Sequence, residues 1–186
     1  LVKPFYIYSL AVMLNTMGLV PVLLILYKAS TILQPEQQWI VHLIYLLIQG
    51  VDASVALFAG YAYDKFGVKV LTLPFILSIF PSLFTMIDSG LAQIIIASAF
   101  FGVVLGMHES IYPAAVAGFA PIPSRGTAYG IFNVFYGVGF FISGGIFGLL
   151  MGFNVSFFIT LVFVILTQAT AVTALRLTHQ TSKNQT

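Results

Sequence analysis

Along the 186-residue chain, long apolar stretches alternate with short polar or proline-bearing breaks. A helix that crosses the roughly 30 Å hydrocarbon core needs about 20 mostly apolar residues, at about 1.5 Å rise per residue. Six stretches meet that length, at about 5–27, 39–62, 70–87, 91–119, 126–151 and 153–175. Between them lie Lys28 to Gln38 with Pro35 and Glu36, the charged turn Asp64 to Lys69, the turn Asp88-Ser89-Gly90, and the prolines Pro121 and Pro123. A polar tail, 176–186, follows the last stretch. The first stretch is too long for a signal peptide and lacks a small-residue cleavage site. The pattern predicts an all-α membrane protein, with residues 1–186 forming a single domain of six transmembrane helices. The layout divides into two three-helix units, about 1–90 and 91–186, an arrangement that recurs in transporter halves.

Composition supports the membrane reading. Hydrophobic residues make up 60% of the chain and charged residues 6%, against roughly 25% charged in soluble domains. Seven Lys/Arg and five Asp/Glu cannot coat a soluble globule, so a cytosolic enzyme, a nucleic-acid-binding module and a disordered chain are excluded. The absence of Cys excludes disulfide scaffolds, thiolate metal sites and thiol redox chemistry. The placement of the cations says more than their number. With six spans, Lys3, Lys65, Lys69, Arg125, Arg176 and Lys183 fall on one side and Lys28 alone on the other. The positive-inside rule then puts both termini in the cytoplasm, across a plasma membrane, with Trp39 at the outer interface.

The most specific string is Gly60-Tyr61-Ala62-Tyr63-Asp64-Lys65-Phe66-Gly67-Val68-Lys69. Gly60 lets a helix end approach a neighbour closely. Asp64 is able to cap the positive N-terminus of an adjacent helix, and Gly67 permits a sharp turn. Lys65 and Lys69 anchor the turn on the cytoplasmic side. The string resembles the loop signature of the major facilitator superfamily of secondary transporters, through Gly60, Asp64, Lys65, Gly67 and Lys69; Val68 replaces the first basic residue of the closing pair. Gly106 to Ser110 and Pro121 to Asn133 are similar to the tenth-to-eleventh helix region of that family. No Arg or Lys lies between Lys69 and Arg125, which fits the C-terminal six-helix half of a twelve-helix fold. The resemblance implies a permease half that moves a small-molecule solute by alternating access, with an N-terminal half in the same chain or a second copy as partner. It implies no enzyme activity, cofactor, metal or nucleic acid. A non-transporting assembly or regulatory subunit with six helices is the second reading the sequence leaves open.

Polar residues within the apolar stretches are the candidates for solute or proton handling, because a charge at mid-bilayer costs about 2.5–3.5 kcal/mol on insertion scales. Glu109 lies about 18 Å along its helix from Pro121, and Asp52 about 20 Å from Trp39. Glu109 is the preferred proton carrier, with a structural hydrogen bond to Asn133 or Tyr136 as the competing expectation. Asp52, near Gln49 and Ser54, is expected to hydrogen-bond between helices. His108 adjoins Glu109 but points about 100° away around the helix. Asn15, followed by Gly18 and Pro21, is placed either on a cavity at a flexible helix or in packing. Gly144, Gly148 and Gly152, four apart, are expected to form a helix-packing groove.

Overall fold

The structure is a computed structural model that describes residues 1–87 and 90–183. Asp88 and Ser89 of the expected turn, and the last three residues of the tail, lie outside the described residues. The helices are α1 (Lys3–Met17), α2 (Val22–Ile32), α3 (Trp39–Phe66), α4 (Thr72–Leu77), α5 (Ile79–Met86), α6 (Leu91–Phe119), α7 (Arg125–Gly152) and α8 (Phe157–Lys183). Short 3-10 turns cover Pro35–Gln37, Gly67–Leu71 and Ile122–Ser124. Five helical runs are long and apolar enough to cross a membrane: Lys3–Ile32, Pro35–Met86, Leu91–Phe119, Ile122–Gly152 and Phe157–Thr178.

Two apolar clusters mark the two ends of the bundle. One gathers Phe5, Tyr8, Ala59, Leu71, Phe75, Tyr112, Ala115, Phe132 and Leu175. The other gathers Leu19, Ile25, Ile44, Ile48, Ile94, Phe101, Phe147 and Val164. The first run passes from the former to the latter, and α3 returns. After Gly67 the chain turns back, so that Leu71 and Phe75 lie in the first cluster and Leu83 and Met86 pack against the second. Glycine is required at that turn, where φ is +64°. The helices α6, α7 and α8 continue the alternation. Lys3, Lys65, Lys69, Arg125 and Arg176 therefore lie toward one end of the bundle and Lys28 toward the other.

Three local features depart from the boundaries expected from sequence. The first stretch is not one continuous helix. Pro21 has no N–H and adopts φ −68°, ψ 146°, so α1 stops at Met17 and α2 begins at Val22. The stretch after Gly67 is divided into α4 and α5 at Ser78, whose buried hydroxyl donates to the Pro74 carbonyl at 2.7 Å. The last helix runs through most of the polar tail, to Lys183 rather than Leu175, because Thr178 and Thr181 return their hydroxyls to Ala174 and Leu177 carbonyls within the helix.

The helices α3 and α6 approach closely. A methyl at Gly102 would sit 2.7 Å from the Ile48 carbonyl oxygen, one at Gly106 2.5 Å from that of Asp52, and one at Gly60 3.0 Å from the Ser110 hydroxyl. Small residues four apart on α6 thus face residues four apart on α3, a packing mode suited to lipid, where water cannot drive association. At Gly144, Gly148 and Gly152 the described residues show no such close approach. A methyl at Gly144 would meet only Pro21, at 3.9 Å, and those at Gly148 and Gly152 would meet nothing within 4 Å. Their four-residue spacing sets a face but not which neighbour occupies it.

Candidate functional site

The break between α1 and α2 frees backbone groups inside a bundle where lipid offers no substitute partners. Two serines from other helices take them up. Ser82 of α5 donates to the Gly18 carbonyl at 2.9 Å and accepts from the Val20 N–H at 2.9 Å, while Ser143 of α7 donates to the Leu19 carbonyl. One turn earlier, Asn15 is fully buried. Its side-chain N–H donates to Gln168 Oε1 at 2.7 Å, its Oδ1 accepts from the Tyr112 hydroxyl at 2.8 Å, and its backbone carbonyl accepts from Gln168 Nε2 at 3.0 Å. Asn15 is thus tied to α6 and α8 by three hydrogen bonds, none of which involves Glu109.

The acids have the opposite character. Asp52 is 7% exposed, and its Oδ1 has no hydrogen-bond partner. The expected interhelix hydrogen bond is absent among the described residues: α3 meets α6 here through the Asp52 backbone against Gly106, and nearby Ser54 donates to its own helix at Gly50. Glu109 is exposed on α6, and no hydrogen bond joins it to Asn133 or Tyr136. Pro113, one turn on, carries no N–H, so the Glu109 backbone carbonyl loses its usual helical donor. Asn133 is exposed on α7. His108 is 2% exposed with both ring nitrogens unpartnered; its ring stacks on Tyr112 at 4.3 Å and meets the edge of Tyr136 at 6.1 Å. Tyr136 of α7 lies against the His108 ring, Asp52 meets α6 at Gly106 through its backbone, and Glu109 follows three residues later on α6. Asp52, His108 and Glu109 therefore lie on one stretch of the α3–α6 pair, with Tyr136 of α7 against the His108 ring.

The turn motif lies at the Lys65–Arg125 end. Asp64 is exposed and caps no helix among the described residues, and the Lys65 ammonium sits 5.3 Å from the Phe66 ring centroid. A cavity of about 510 Å³ is at the opposite end, between Tyr27, Lys28, Thr31, Asn154 and Ser156. A second, about 340 Å³, lies between α4, α5 and α8 beside Gln168 and Arg176. Neither includes the acids, whose site is an open face. Sequence reasoning missed Tyr112, Gln168, Ser82 and Ser143. Nothing in the sequence marks these partners, which come from 62 to 153 positions away.

Comparison with known proteins places this arrangement. The chain is 35% identical over 112 residues to "Uncharacterized protein Mb2288" of Mycobacterium bovis and to "Uncharacterized protein Rv2265" of Mycobacterium tuberculosis, an overlap of 60% of this chain and 26% of either relative. The matched part thus spans about a quarter of the length of these curated relatives. No solved structure matches. Residues 5–186 match the Major Facilitator Superfamily, whose members are transporters, and the chain belongs to that family.

Proposed function

We propose that this multi-pass membrane chain is one six-helix half of a secondary transporter that moves a small solute by alternating access. The observation that carries the reading is Glu109, a carboxylate exposed partway along an apolar helix of a chain belonging to a transporter family. A charge at that depth is costly against hydrocarbon and is accommodated by a water-filled cavity or a partner. The runs containing α3 and α7 flank Glu109 and are the least buried of the five, which supports a second six-helix unit, in the same chain or a second copy, closing over this face.

The six-crossing count rests on the Pro35–Met86 run. Its 52 residues would extend about 78 Å as one helix, more than twice a hydrocarbon core of about 30 Å. The turn at Gly67 and the return of α5 to the far cluster support two crossings. Both termini then face the cytoplasm with Lys65, Lys69, Arg125 and Arg176, and the helices divide into two three-helix units. Asp64, exposed at the cytoplasmic end, would cap a helix N-terminus of the opposing half in one state and release it in the other. Glu109, three residues beyond the contact of Gly106 with Asp52 of α3, is the proposed proton carrier.

The cysteine-free sequence suits a direct test. A single cysteine at Asn133, labelled with a membrane-impermeant maleimide in oriented vesicles, is expected to react from one side in one state and from the other after solute or pH is changed. Reaction from one side only under every condition would contradict alternating access.

A further inference from the structure

The Asp52–Glu109 face has a chemical bias that narrows the solute class. This inference rests on the transporter reading and deepens it. The face is rich in acceptors: Asp52 Oδ1 is buried and unpartnered, Glu109 is exposed and without a hydrogen bond, and the Glu109 carbonyl has lost its helical donor to Pro113. His108, independently of the acids, is buried with both ring nitrogens unpartnered, so a neutral imidazole presents one further acceptor there. Positive charge is missing. The Lys and Arg residues of α3, α7 and α8, namely Lys65, Arg125, Arg176 and Lys183, stand toward one end of the bundle, and α6 has none.

Two carboxylates that repel each other in a low-dielectric setting are stabilised by a positive charge placed between them. An anionic solute would add a third like charge, and a neutral one would leave the repulsion to be relieved by protonation alone. The walls are aromatic. Tyr136 contacts the ring of His108 at 6.1 Å and that of Phe140 at 5.1 Å, nearly edge-on in both cases, and tyrosine faces attract cations. We propose that this face binds an organic cation, an ammonium or guanidinium group on an apolar frame, with Asp52 and Glu109 as its counter-charges and Tyr136 beside its apolar part.

Titration calorimetry on the purified protein in detergent tests this with phenethylammonium and phenylguanidinium, against neutral phenylethanol and anionic phenylpropionate. The cations are expected to bind and the other two not. Glu109→Gln should weaken cation binding at least about tenfold, the scale for removing one partner of a desolvated charge pair. Asp52→Asn should do the same, and the exposed position of Glu109 keeps the test open if the Asp52 variant fails to fold. Three results would overturn the proposal: no heat from either cation, equal binding of phenylpropionate or phenylethanol, or cation binding unchanged in Glu109→Gln. Labelling at Asn133 separates the two readings. Alternating labelling without cation binding leaves the carrier reading standing and removes the solute class, whereas cation binding with one-sided labelling does the reverse.

Discussion

The α1–α2 break and the Asp52–Glu109 face lie in the same bundle and handle polar groups in opposite ways. At the break, the carbonyls of Gly18 and Leu19, the Val20 N–H and both ends of the Asn15 amide are matched by Ser82, Ser143, Gln168 and Tyr112. At the face, Asp52 Oδ1 and both His108 nitrogens lack partners, and Glu109 is exposed without one. Buried polar groups are ordinarily satisfied, and an orphan calls for an explanation. The contrast separates scaffold from working surface. One region has spent its hydrogen-bonding capacity holding a discontinuous helix, and the other keeps capacity for something that comes and goes.

Substitutions in the two regions should therefore diverge. The largest loss of stability is expected for Asn15→Leu, which strands the Tyr112 hydroxyl and Gln168; each orphaned buried group costs about 1–3 kcal/mol. Thermal unfolding in detergent should show a clearly lowered midpoint, and an unchanged midpoint would remove the scaffold role. Ser82→Ala, which leaves the Gly18 carbonyl and Val20 N–H unmatched, should lower it by a smaller step. The cost falls at the low end of that range if the neighbouring turn relaxes.

Outside both regions, Asp64→Asn should leave unfolding unchanged and slow turnover more than it weakens solute binding, as read from transport rate against binding affinity. Equal turnover would remove the proposed gating role. Glu109→Gln, which breaks no hydrogen bond, should likewise leave unfolding unchanged. That variant should nevertheless abolish pH-dependent transport in vesicles. Full retention of the pH dependence would exclude Glu109 as the proton carrier.

Much of the architecture was legible because lipid imposes simple rules. The spans of α6 and α7 follow from uninterrupted apolar runs closed by Pro121, Pro123 and the polar turn near Asn154. Pro21 and Gly18 already pointed to an irregular first helix. The division at Ser78 was hidden, since a buried serine returning its hydroxyl to Pro74 leaves no break in hydrophobicity. For the site, counting rise per residue located the depths of Asp52 and Glu109, but depth carries no angular information. Asn15 and Glu109 are both polar residues within apolar stretches, yet one is locked to Tyr112 and Gln168, 97 and 153 positions away, and the other is exposed. The same limit applies to Gly148 and Gly152, whose spacing marks a face on which an added methyl would meet nothing within 4 Å among the described residues.

The central claim is that the Glu109 face is lined by water while other exposed faces of the bundle meet lipid. Spin labels at Asn133→Cys on α7 and at Leu166→Cys on α8, both exposed positions, test it in reconstituted membranes. The account predicts that the Asn133 label relaxes more readily with a water-soluble paramagnetic complex and the Leu166 label more readily with oxygen. Oxygen-dominated relaxation at both positions would place Glu109 against lipid and contradict the account.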